Sequence, residues 1–444
     1  MRRVVWSFLL LTLLAPVAYG DGRRWVSFRN EGTGQSSAKQ VPVTWAPNRG
    51  IRWKASLPGY GQSAPVVWED RVYVTCVEGS NKEKNLILAL NLQEGHVLWK
   101  QELVSSMPAA NHYMVSRAAP TPVADGDGVY AFFESGDLVA LSHTGQVRWQ
   151  RSLSRDYGAF QNGHGIGSSP AQSADRLIVL IDDRAASYLL AIDKKTGRTL
   201  WKTDREPASA WTSPVVWKRG RGMVIVSAAG KAQGYDLLDG RLLWQAGDLT
   251  GNLIPSPAVE GDCVYIGASV SSRSASGQSA AESNCCLKLV ERDGKVEVER
   301  VWQARKAVCY YASPLVYRGY VYYVNSAGVL YCLDSRTGQE QYAERIDSAC
   351  WASPVAVGDR IYFFGRNGVT TVVRAGKRFE KLASNTLWTA EDAPLPEVSY
   401  AYTPRGATAP RAPSAEYLDP IVYGVAVVDR AILIRTGTHL FCVR

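Results

Sequence analysis

Two of the five histidines in this 444-residue chain stand beside amide and aromatic residues. His112 lies between Asn111 and Tyr113, and His164 follows closely after Asn162. Imidazole is a common zinc ligand, but a zinc site needs three or four protein ligands, and the sequence offers no evident third one. No Gly-x-Ser-x-Gly, His-Glu-x-x-His or P-loop pattern occurs either. We therefore predict no metal site and assign no catalytic residue.

Further aromatic, amide and basic residues occur at wide intervals, so they could form a site only if the fold gathers them. A binding site needs a concave surface with aromatic rings and a few convergent polar groups. The candidates for such a site are His112, Arg117, His164, Trp211, Asn252, Tyr310 and Trp351. The alternative is that bulky side chains of this kind only fill a central channel.

A short recurring motif identifies the elements that must position these residues. An apolar strand runs into a polar turn with a glycine, and an aromatic residue follows, usually four positions later, as at Gly197 and Trp201. Glycine suits a hairpin turn that needs a positive φ, and an indole is large enough to wedge between neighbouring sheets. We expect these tryptophans to dock one sheet against the next: Trp53, Trp99, Trp149, Trp201, Trp244 and Trp302.

A second motif alternates with the first and consists of a small residue, a proline and a β-branched strand. Its prolines are Pro65, Pro122, Pro170, Pro214, Pro257, Pro314 and Pro354, and a degenerate eighth copy begins at Gly424. Each period holds four short strands and no amphipathic helix, which is typical of a propeller blade. The sequence thus predicts an all-β fold, an eight-bladed β-propeller of four-stranded antiparallel blades.

The two ends of the repeat array predict how the ring closes. The last unit stops after three strands, whereas an unpartnered strand near Trp53 precedes the first unit. Pairing this N-terminal strand with the C-terminal blade would complete the eighth blade and remove two exposed edges. Loops that join one blade to the next would then gather at one mouth of the channel, and they carry the candidate binding residues.

The remaining segments indicate an exported protein without a transmembrane segment, either periplasmic or extracellular. The first residues have a basic start, an apolar run and a small-residue cleavage site. The long Pro-rich insertion near the C-terminus is of a kind that is usually either functional or disordered. We divide the chain into a signal peptide at 1–20, an N-terminal extended segment at 21–50 and a single propeller at 51–444, with insertions at 267–284 and 386–420.

Charge and cysteine content restrict the partners and the chemistry. The formal net charge is +9, but the cations are spread along the chain, so no nucleic-acid partner is predicted. Eight cysteines permit disulfides in an exported protein without prescribing them. Cys309 and Cys350 precede consecutive repeats at similar offsets, which leaves a bridge between them open.

The repeats resemble those of the PQQ-like (quinoprotein-type) eight-bladed propellers. The resemblance lies in the unit Ser-x-Pro-Val-Val…Asp-Arg-Val-Tyr-Val, followed by Asp-x-x-Thr-Gly-x-x-x-Trp. The N-terminal stretch with Trp25, Trp45 and Trp53 is similar to the exported bacterial branch grouped with the BamB outer-membrane assembly factor. The resemblance covers nearly all of the mature chain outside the two insertions.

This resemblance implies one of two activities. Quinoprotein dehydrogenases bind PQQ and Ca²⁺ at the channel mouth, and some cover the quinone with a vicinal disulfide. This chain has adjacent Cys285 and Cys286, but alignment with Tyr188 sets them in an ordinary third strand of the fifth blade. BamB-like proteins bind a protein partner through mouth loops without catalysis, although this chain lacks their lipidated cysteine.

We therefore expect an exported, non-catalytic scaffold that binds a protein partner through its channel-mouth loops, in cell-envelope or outer-membrane assembly. No cofactor is expected for this function. The first alternative is an oxidoreductase that depends on PQQ and Ca²⁺. The second is a protein that binds a cell-wall glycan through the aromatic mouth.

Overall fold

The computed structural model describes residues 22–269, 280–398, 400–403 and 407–444. These residues form eight blades of four antiparallel strands, arranged as a propeller. The prediction of an all-β, eight-bladed propeller is thereby confirmed. The predicted signal peptide at 1–20 and residues 270–279 of the first insertion lie outside the described residues.

The strands of each blade are given in order from the channel to the outer edge of the ring. Blade 1 comprises Val66–Trp68, Arg71–Glu78, Lys84–Asn91 and Val97–Val104; blade 2 comprises Val123–Asp125, Gly128–Phe132, Asp137–Leu141 and Val147–Ser152. Blade 3 comprises Ala171–Gln172, Arg176–Ile181, Ser187–Asp193 and Thr199–Arg205; blade 4 comprises Val215–Trp217, Met223–Ala228, Lys231–Asp236 and Leu242–Ala246.

The second half of the ring follows the same order. Blade 5 comprises Ala258–Glu260, Cys263–Tyr265, Cys285–Arg292 and Lys295–Gln303; blade 6 comprises Leu315–Tyr317, Tyr320–Val324, Val329–Asp334 and Glu340–Arg345. Blade 7 comprises Val355–Val357, Arg360–Phe364, Val369–Arg374 and Lys381–Thr386; blade 8 comprises Gly424–Val428, Ala431–Arg435, His439–Val443 and Ile51–Ser56. Short helical turns occur at Arg29–Gly32, Leu153–Tyr157, Ala280–Ser283 and Ala415–Tyr417.

The burial pattern of the strands explains their composition. The second and third strands of blade 1, Arg71–Glu78 and Lys84–Asn91, are buried on both faces along their central residues. Each blade packs between two others, so both faces of these strands must be apolar. The outer strand Val97–Val104 instead alternates between exposed and half-buried residues, because it lies at the outer edge of the blade.

Strand Ile51–Ser56 closes the ring, as predicted. It pairs antiparallel with His439–Val443, with Trp53 opposite Cys442 and Ser56 opposite His439. Blade 8 is therefore assembled from both ends of the propeller sequence.

The hairpin glycines and the tryptophans meet between neighbouring blades. The indole N–H of Trp149 in blade 2 donates to the carbonyl of Lys194 in blade 3 at 2.8 Å, and a Cβ added at Gly197 would lie 2.7 Å from that indole. Equivalent indole bonds join Trp53 to Leu92, Trp99 to His143, Trp201 to Leu237 and Trp302 to Ser335. The exception is Trp244, whose indole N–H has no partner among the described residues. Trp244 faces blade 5, in which the hairpin glycine Gly294 and the following Trp302 are more than the usual four positions apart.

A girdle of hydroxyl groups links the inner strands around the channel. In blades 2 to 7, the residue before the marker proline has a hydroxyl that accepts a hydrogen bond from the equivalent backbone N–H of the preceding blade. The bonded N–H and hydroxyl pairs are Ala64–Thr121, Thr121–Ser169, Ser169–Ser213, Ser213–Ser256, Ser256–Ser313 and Ser313–Ser353. The small residue of the repeat is thus an inter-blade contact.

The girdle is interrupted at the seam between blades 8 and 1. There Gly424 approaches Ala64 so closely that an added Cβ would lie 2.5 Å from the Ala64 Cα. The fully buried Arg435 bridges the seam instead. Its guanidinium donates to the Ser63 hydroxyl at 2.6 Å and to the Thr75 carbonyl at 2.6 Å.

The N-terminal segment does not run along the outside of the ring but crosses one end of its channel. We call residues 22–38 the plug. Its strand Arg24–Trp25 adds to the inner strand of blade 1, and Gln35–Ser36 adds in parallel to that of blade 7. Between these strands, Arg29 donates to backbone carbonyls of blades 5 and 6. The plug closes this end of the channel.

The cysteines do not form the bridge that the sequence left open. Cys309 and Cys350 are both buried free thiols, and they belong to different hydrophobic clusters between different pairs of blades. The adjacent Cys285 and Cys286 begin the third strand of blade 5, as the alignment with Tyr188 predicted.

Candidate binding chamber at the channel mouth

The channel contains a chamber of about 370 Å³ that is closed at one end by the plug. Trp25, Phe28 and Arg29 of the plug form its floor. Its wall is the hydroxyl girdle, and its rim consists of the loops that join successive blades. The rim residues that line it include Tyr113, His164, Trp211, Tyr311 and Trp351. A concave site that combines aromatic rings with polar groups is suited to binding a small ligand.

The long insertion at 386–420 lies across the mouth, and we call it the cover loop. Tyr417 of this loop lines the chamber, and its ring centroid lies 5.6 Å from that of Trp351 and 5.6 Å from that of Tyr113. The loop is also held by a bond from the Arg366 guanidinium to the Ala415 carbonyl at 2.6 Å. The part of the cover loop that the structure describes therefore contacts blades on both sides of the mouth.

Aromatic rings form a continuous network along one side of this mouth. The ring of Trp351 lies 4.4 Å from that of Tyr311 and 5.6 Å from that of Tyr423, centroid to centroid. The Tyr423 hydroxyl is 2.8 Å from that of Tyr60, which donates to Asp419 at 2.6 Å. The network therefore joins blades 6, 7 and 8 to the cover loop.

Three of the seven predicted binding residues line the chamber: His164, Trp211 and Trp351. The imidazole of His164 lies 2.9 Å from the Met114 carbonyl through Nδ1, and its ring meets that of Trp211 edge to face at 5.8 Å. The indole N–H of Trp211 donates to the Gly165 carbonyl. The structure therefore brings blades 2, 3 and 4 together at this side of the rim.

His112 and Tyr310 contact the cover loop and not the chamber. The His112 ring lies 4.6 Å from that of Tyr402. Burial, followed by the nearby charges of Lys82, His164 and Arg117, lowers the pKa of His112 to about 4. The Tyr310 hydroxyl donates to the Glu416 carboxylate. Both residues therefore hold the cover loop in place.

Arg117 and Asn252 support the loops around the mouth. The Arg117 guanidinium stacks 3.3 Å from the ring centroid of Tyr60, which places a buried cation near Asp419. Burial raises the pKa of Asp419, against the lowering by the Tyr60 hydroxyl and the Arg117 charge. Asn252 is buried and donates to the Ser227 hydroxyl and the Lys231 carbonyl.

The chamber does not fit a calcium-held quinone. Calcium requires six to eight oxygen ligands, usually with several carboxylates. Among the described residues, no aspartate or glutamate lines the chamber, and no group of three His, Cys, Asp or Glu side chains could hold a metal ion. His112 and His164 also lack a third metal ligand in the described part of the chain.

Sequence reasoning missed the floor of the chamber. Trp25, Phe28 and Arg29 carry no repeat signature, because their positions are set by docking into a channel that the repeats create. The sequence did identify the loops that carry His112 and Tyr310. In each of these loops, however, the next residue, Tyr113 or Tyr311, lines the chamber.

Comparison with known proteins identifies the family. The family model for the outer membrane protein assembly factor BamB matches residues 3–163 and 159–381. The chain belongs to this family. The matched range ends before the cover loop and the three C-terminal strands of blade 8.

Curated relatives match over only part of their length. BamB of Alkalilimnicola ehrlichii is 27% identical over 242 residues, which cover 52% of this chain and 52% of that protein. BamB of Moranella endobia is 27% identical over 193 residues, which cover 43% of this chain and 45% of that protein. A polyvinylalcohol dehydrogenase of a Pseudomonas species is 25% identical over 221 residues, covering 41% and 32%. The chain thus spans about half the length of the BamB relatives.

Solved structures share the fold. BamB from Moraxella catarrhalis superposes with a TM-score of 0.57 at 13% identity, covering 89% of this chain and 99% of that one. The quinohemoprotein alcohol dehydrogenase from Comamonas testosteroni gives 0.58 at 11% identity, covering 95% and 80%. At such identities the likeness establishes the propeller architecture alone.

Proposed function

We propose that this protein is an exported, non-catalytic propeller scaffold that binds a protein partner through its mouth face during outer-membrane protein assembly. Membership of the BamB family supports this proposal, as does the predicted signal peptide at 1–20. Among the described residues, no helix is long and apolar enough to cross a membrane. The observation that carries the proposal is the apolar surface of the cover loop.

The cover loop displays three large apolar side chains to solvent. Leu395, Val398 and Leu418 are 59%, 57% and 54% exposed. The Thr438 hydroxyl, in a turn of blade 8, donates to the carbonyl of Pro394 and so holds the neighbouring Leu395 close to this blade. Exposed apolar residues on a loop that rigid blades position are a common feature of protein interaction sites.

A genetic test separates this surface from the remainder of the propeller. In a host strain that lacks the protein, the wild-type chain should restore the normal abundance of outer-membrane proteins. The triple variant Leu395→Ser, Val398→Ser and Leu418→Ser should not restore it, because its partner surface is lost. Quantitative mass spectrometry of the membrane fraction provides the measurement.

A matched triple variant controls for the general loss of exposed apolar surface. The control carries Val97→Ser, Val147→Ser and Leu242→Ser. These residues lie in outer strands of the blades, and their side chains are 45%, 45% and 44% exposed. This control should complement like the wild type. Equal complementation by both triple variants would exclude the cover loop as the partner surface.

The dehydrogenase alternative draws support from the polyvinylalcohol dehydrogenase relative. Against it stands the absence of carboxylates from the described chamber lining. Incubation of the purified protein with PQQ and Ca²⁺, followed by dye reduction with alcohols and sugars, tests this alternative. We expect no turnover, and turnover would overturn the scaffold proposal.

A further inference from the structure

The floor of the chamber contains a buried positive charge without a carboxylate partner. Arg29 is only 4% exposed, and its guanidinium donates to the carbonyls of Pro257 at 3.0 Å and Pro314 at 2.7 Å. No described aspartate or glutamate forms an ion pair with it. Burial lowers the pKa of Arg29 to about 10, so the side chain stays protonated at neutral pH.

A buried charge that is neutralised only by neutral carbonyl groups is energetically costly. An anion bound beside Arg29 would remove this cost, because it would pair with the charge in a low-dielectric environment. The Nε–H of Arg29 has no partner among the described residues.

Three further polar groups, on residues that line the chamber, also lack partners in the described structure. They are the indole N–H groups of Trp25 and Trp351 and the hydroxyl of Ser116. Buried polar groups in folded proteins are normally hydrogen-bonded, so each unpartnered group needs an explanation. The same explanation serves all of them if a ligand with several acceptor oxygens occupies the chamber.

The size and lining of the chamber restrict the remainder of the ligand. Its volume of about 370 Å³ lies near the lower limit for small-molecule sites, so it admits a small molecule or a chain end but no folded domain. Tyr113, Trp211, Tyr311 and Tyr417 present aromatic surface to its interior. Such walls favour a flat or apolar body over a fully hydrated one.

We propose that the chamber binds a small carboxylate ligand with an aromatic or apolar body, with its carboxylate beside Arg29. A free aromatic acid and the C-terminal residue of a peptide share this chemistry. Such a site goes beyond the scaffold function and does not depend on it, because Leu395, Val398 and Leu418 of the partner surface are not part of the chamber lining.

Calorimetric titration of the full mature chain tests the proposal and separates the two sources. Phenylacetate represents a free acid, and a tetrapeptide that ends in phenylalanine with a free carboxylate represents a chain end. Phenylacetamide and the amidated tetrapeptide are the matched neutral ligands. We expect at least one acid to bind about tenfold or more tightly than its neutral counterpart. Binding of phenylacetate alone indicates a free acid, and binding of the peptide alone indicates a chain end.

Variants at the floor show whether Arg29 is the recognition group. Arg29→Gln should weaken binding of the acid about tenfold or more, whereas Arg29→Lys should retain part of it. Arg24→Gln is the matched control. It removes a cation from the same plug, but Arg24 is exposed and pairs with Glu69. This control should bind like the wild type.

A loss of folding in Arg29→Gln is detected by circular dichroism, and Trp351→Phe then carries the test, because it keeps an aromatic ring but removes the indole N–H. It should weaken binding of the acid several-fold. The proposal would be overturned if neither acid binds at about 10 mM, if the neutral ligands bind as tightly as the acids, or if the folded Arg29→Gln variant binds as the wild type does. Preferential binding of a neutral disaccharide would also overturn it in favour of a glycan site.

Discussion

At the scale of the residue, buried arginines join parts of the chain that are distant in sequence. Arg435 links blade 8 to blade 1, and Arg29 links the plug to blades 5 and 6. Neither forms an ion pair with a described carboxylate. Arg29 donates to backbone carbonyls, and Arg435 donates to both carbonyls and side chains of blade 1. A guanidinium suits this position because its planar fork reaches several acceptors at once.

Replacement of Arg435 should destabilise the seam between blades 8 and 1 more than replacement of an exposed arginine does. Arg435→Met keeps much of the side-chain volume but leaves the Thr75 carbonyl and the Ser63 hydroxyl without this donor. We expect a loss of about 2–5 kcal/mol in the free energy of unfolding. Denaturant titration measures it, with Arg430→Met in the exposed turn of the same blade as the control. Equal midpoints for the two variants would show that Arg435 does not support the seam.

The cover loop should loosen in acid, because His112 resists protonation. The pKa of His112 is about 4 in the folded chain, below the ordinary value of about 6.5. The unfolded segment therefore takes up a proton at a higher pH than the folded one, and the contribution of His112 to loop stability is present above pH 6.5. It is lost as the pH falls from about 6.5 to about 4.

Hydrogen exchange measures this loss at residues 407–417 of the loop. Exchange rates, corrected for the intrinsic effect of pH, should rise between pH 7 and pH 5 in the wild type. The rise should be smaller in His112→Phe. His143→Gln is the control, because His143 contacts Trp68 and Tyr73 in blade 1, away from the cover loop. A loop with the same pH dependence in all three proteins would contradict the assignment.

At the scale of the element, the Gly–Trp hairpin is a contact between blades as well as a turn. Gly197 has a φ of +72°, and an added Cβ would lie 2.7 Å from the indole of Trp149. Gly294 has nearly the same φ, +73°, but an added Cβ there would meet nothing within 4 Å. These two glycines therefore separate the conformational role of the residue from its packing role.

Substitution of each glycine by alanine should reveal the difference. Gly294→Ala should cost about 1–2 kcal/mol, because alanine disfavours positive φ. Gly197→Ala should cost about 1–3 kcal/mol more, because the methyl group displaces the Trp149 indole. Thermal and denaturant unfolding provide the comparison. Similar losses for the two variants would mean that the indole is not held against the glycine.

The elements that repeat could be predicted, and those that occur once could not. The hairpin and the marker proline recur often enough that their spacing determines blade number, strand order and closure. The plug has strands of only two residues, Arg24–Trp25 and Gln35–Ser36, and their partners are far away in sequence. Local pattern therefore carries no signal for them. The same holds for Arg29, whose burial depends on a channel formed by all eight blades.

At the scale of the whole molecule, the ring depends on both ends of the propeller sequence. Val443 and Ile51 are paired, and the plug fills one end of the channel that this closure creates. The N-terminal region therefore has two separable roles, in closure and in plugging.

Truncation separates these roles. A chain that begins at residue 51 lacks the plug but keeps strand Ile51–Ser56, so it should not aggregate but should have a lower melting temperature than a chain that begins at residue 22. A chain that begins at residue 57 leaves the edge of His439–Val443 unpaired and should aggregate. Light scattering and thermal unfolding measure both effects. Equal behaviour of the two shorter chains would contradict the role of the closing strand.

The composite eighth blade also imposes an order on how the molecule is made. Ser56 meets His439 across 383 residues, so the ring cannot close until synthesis of the chain is nearly complete. Seven blades can form from contiguous sequence as it emerges, whereas the last pairing needs both distant segments at once. Any step that requires an open chain must therefore precede the arrival of the final strand.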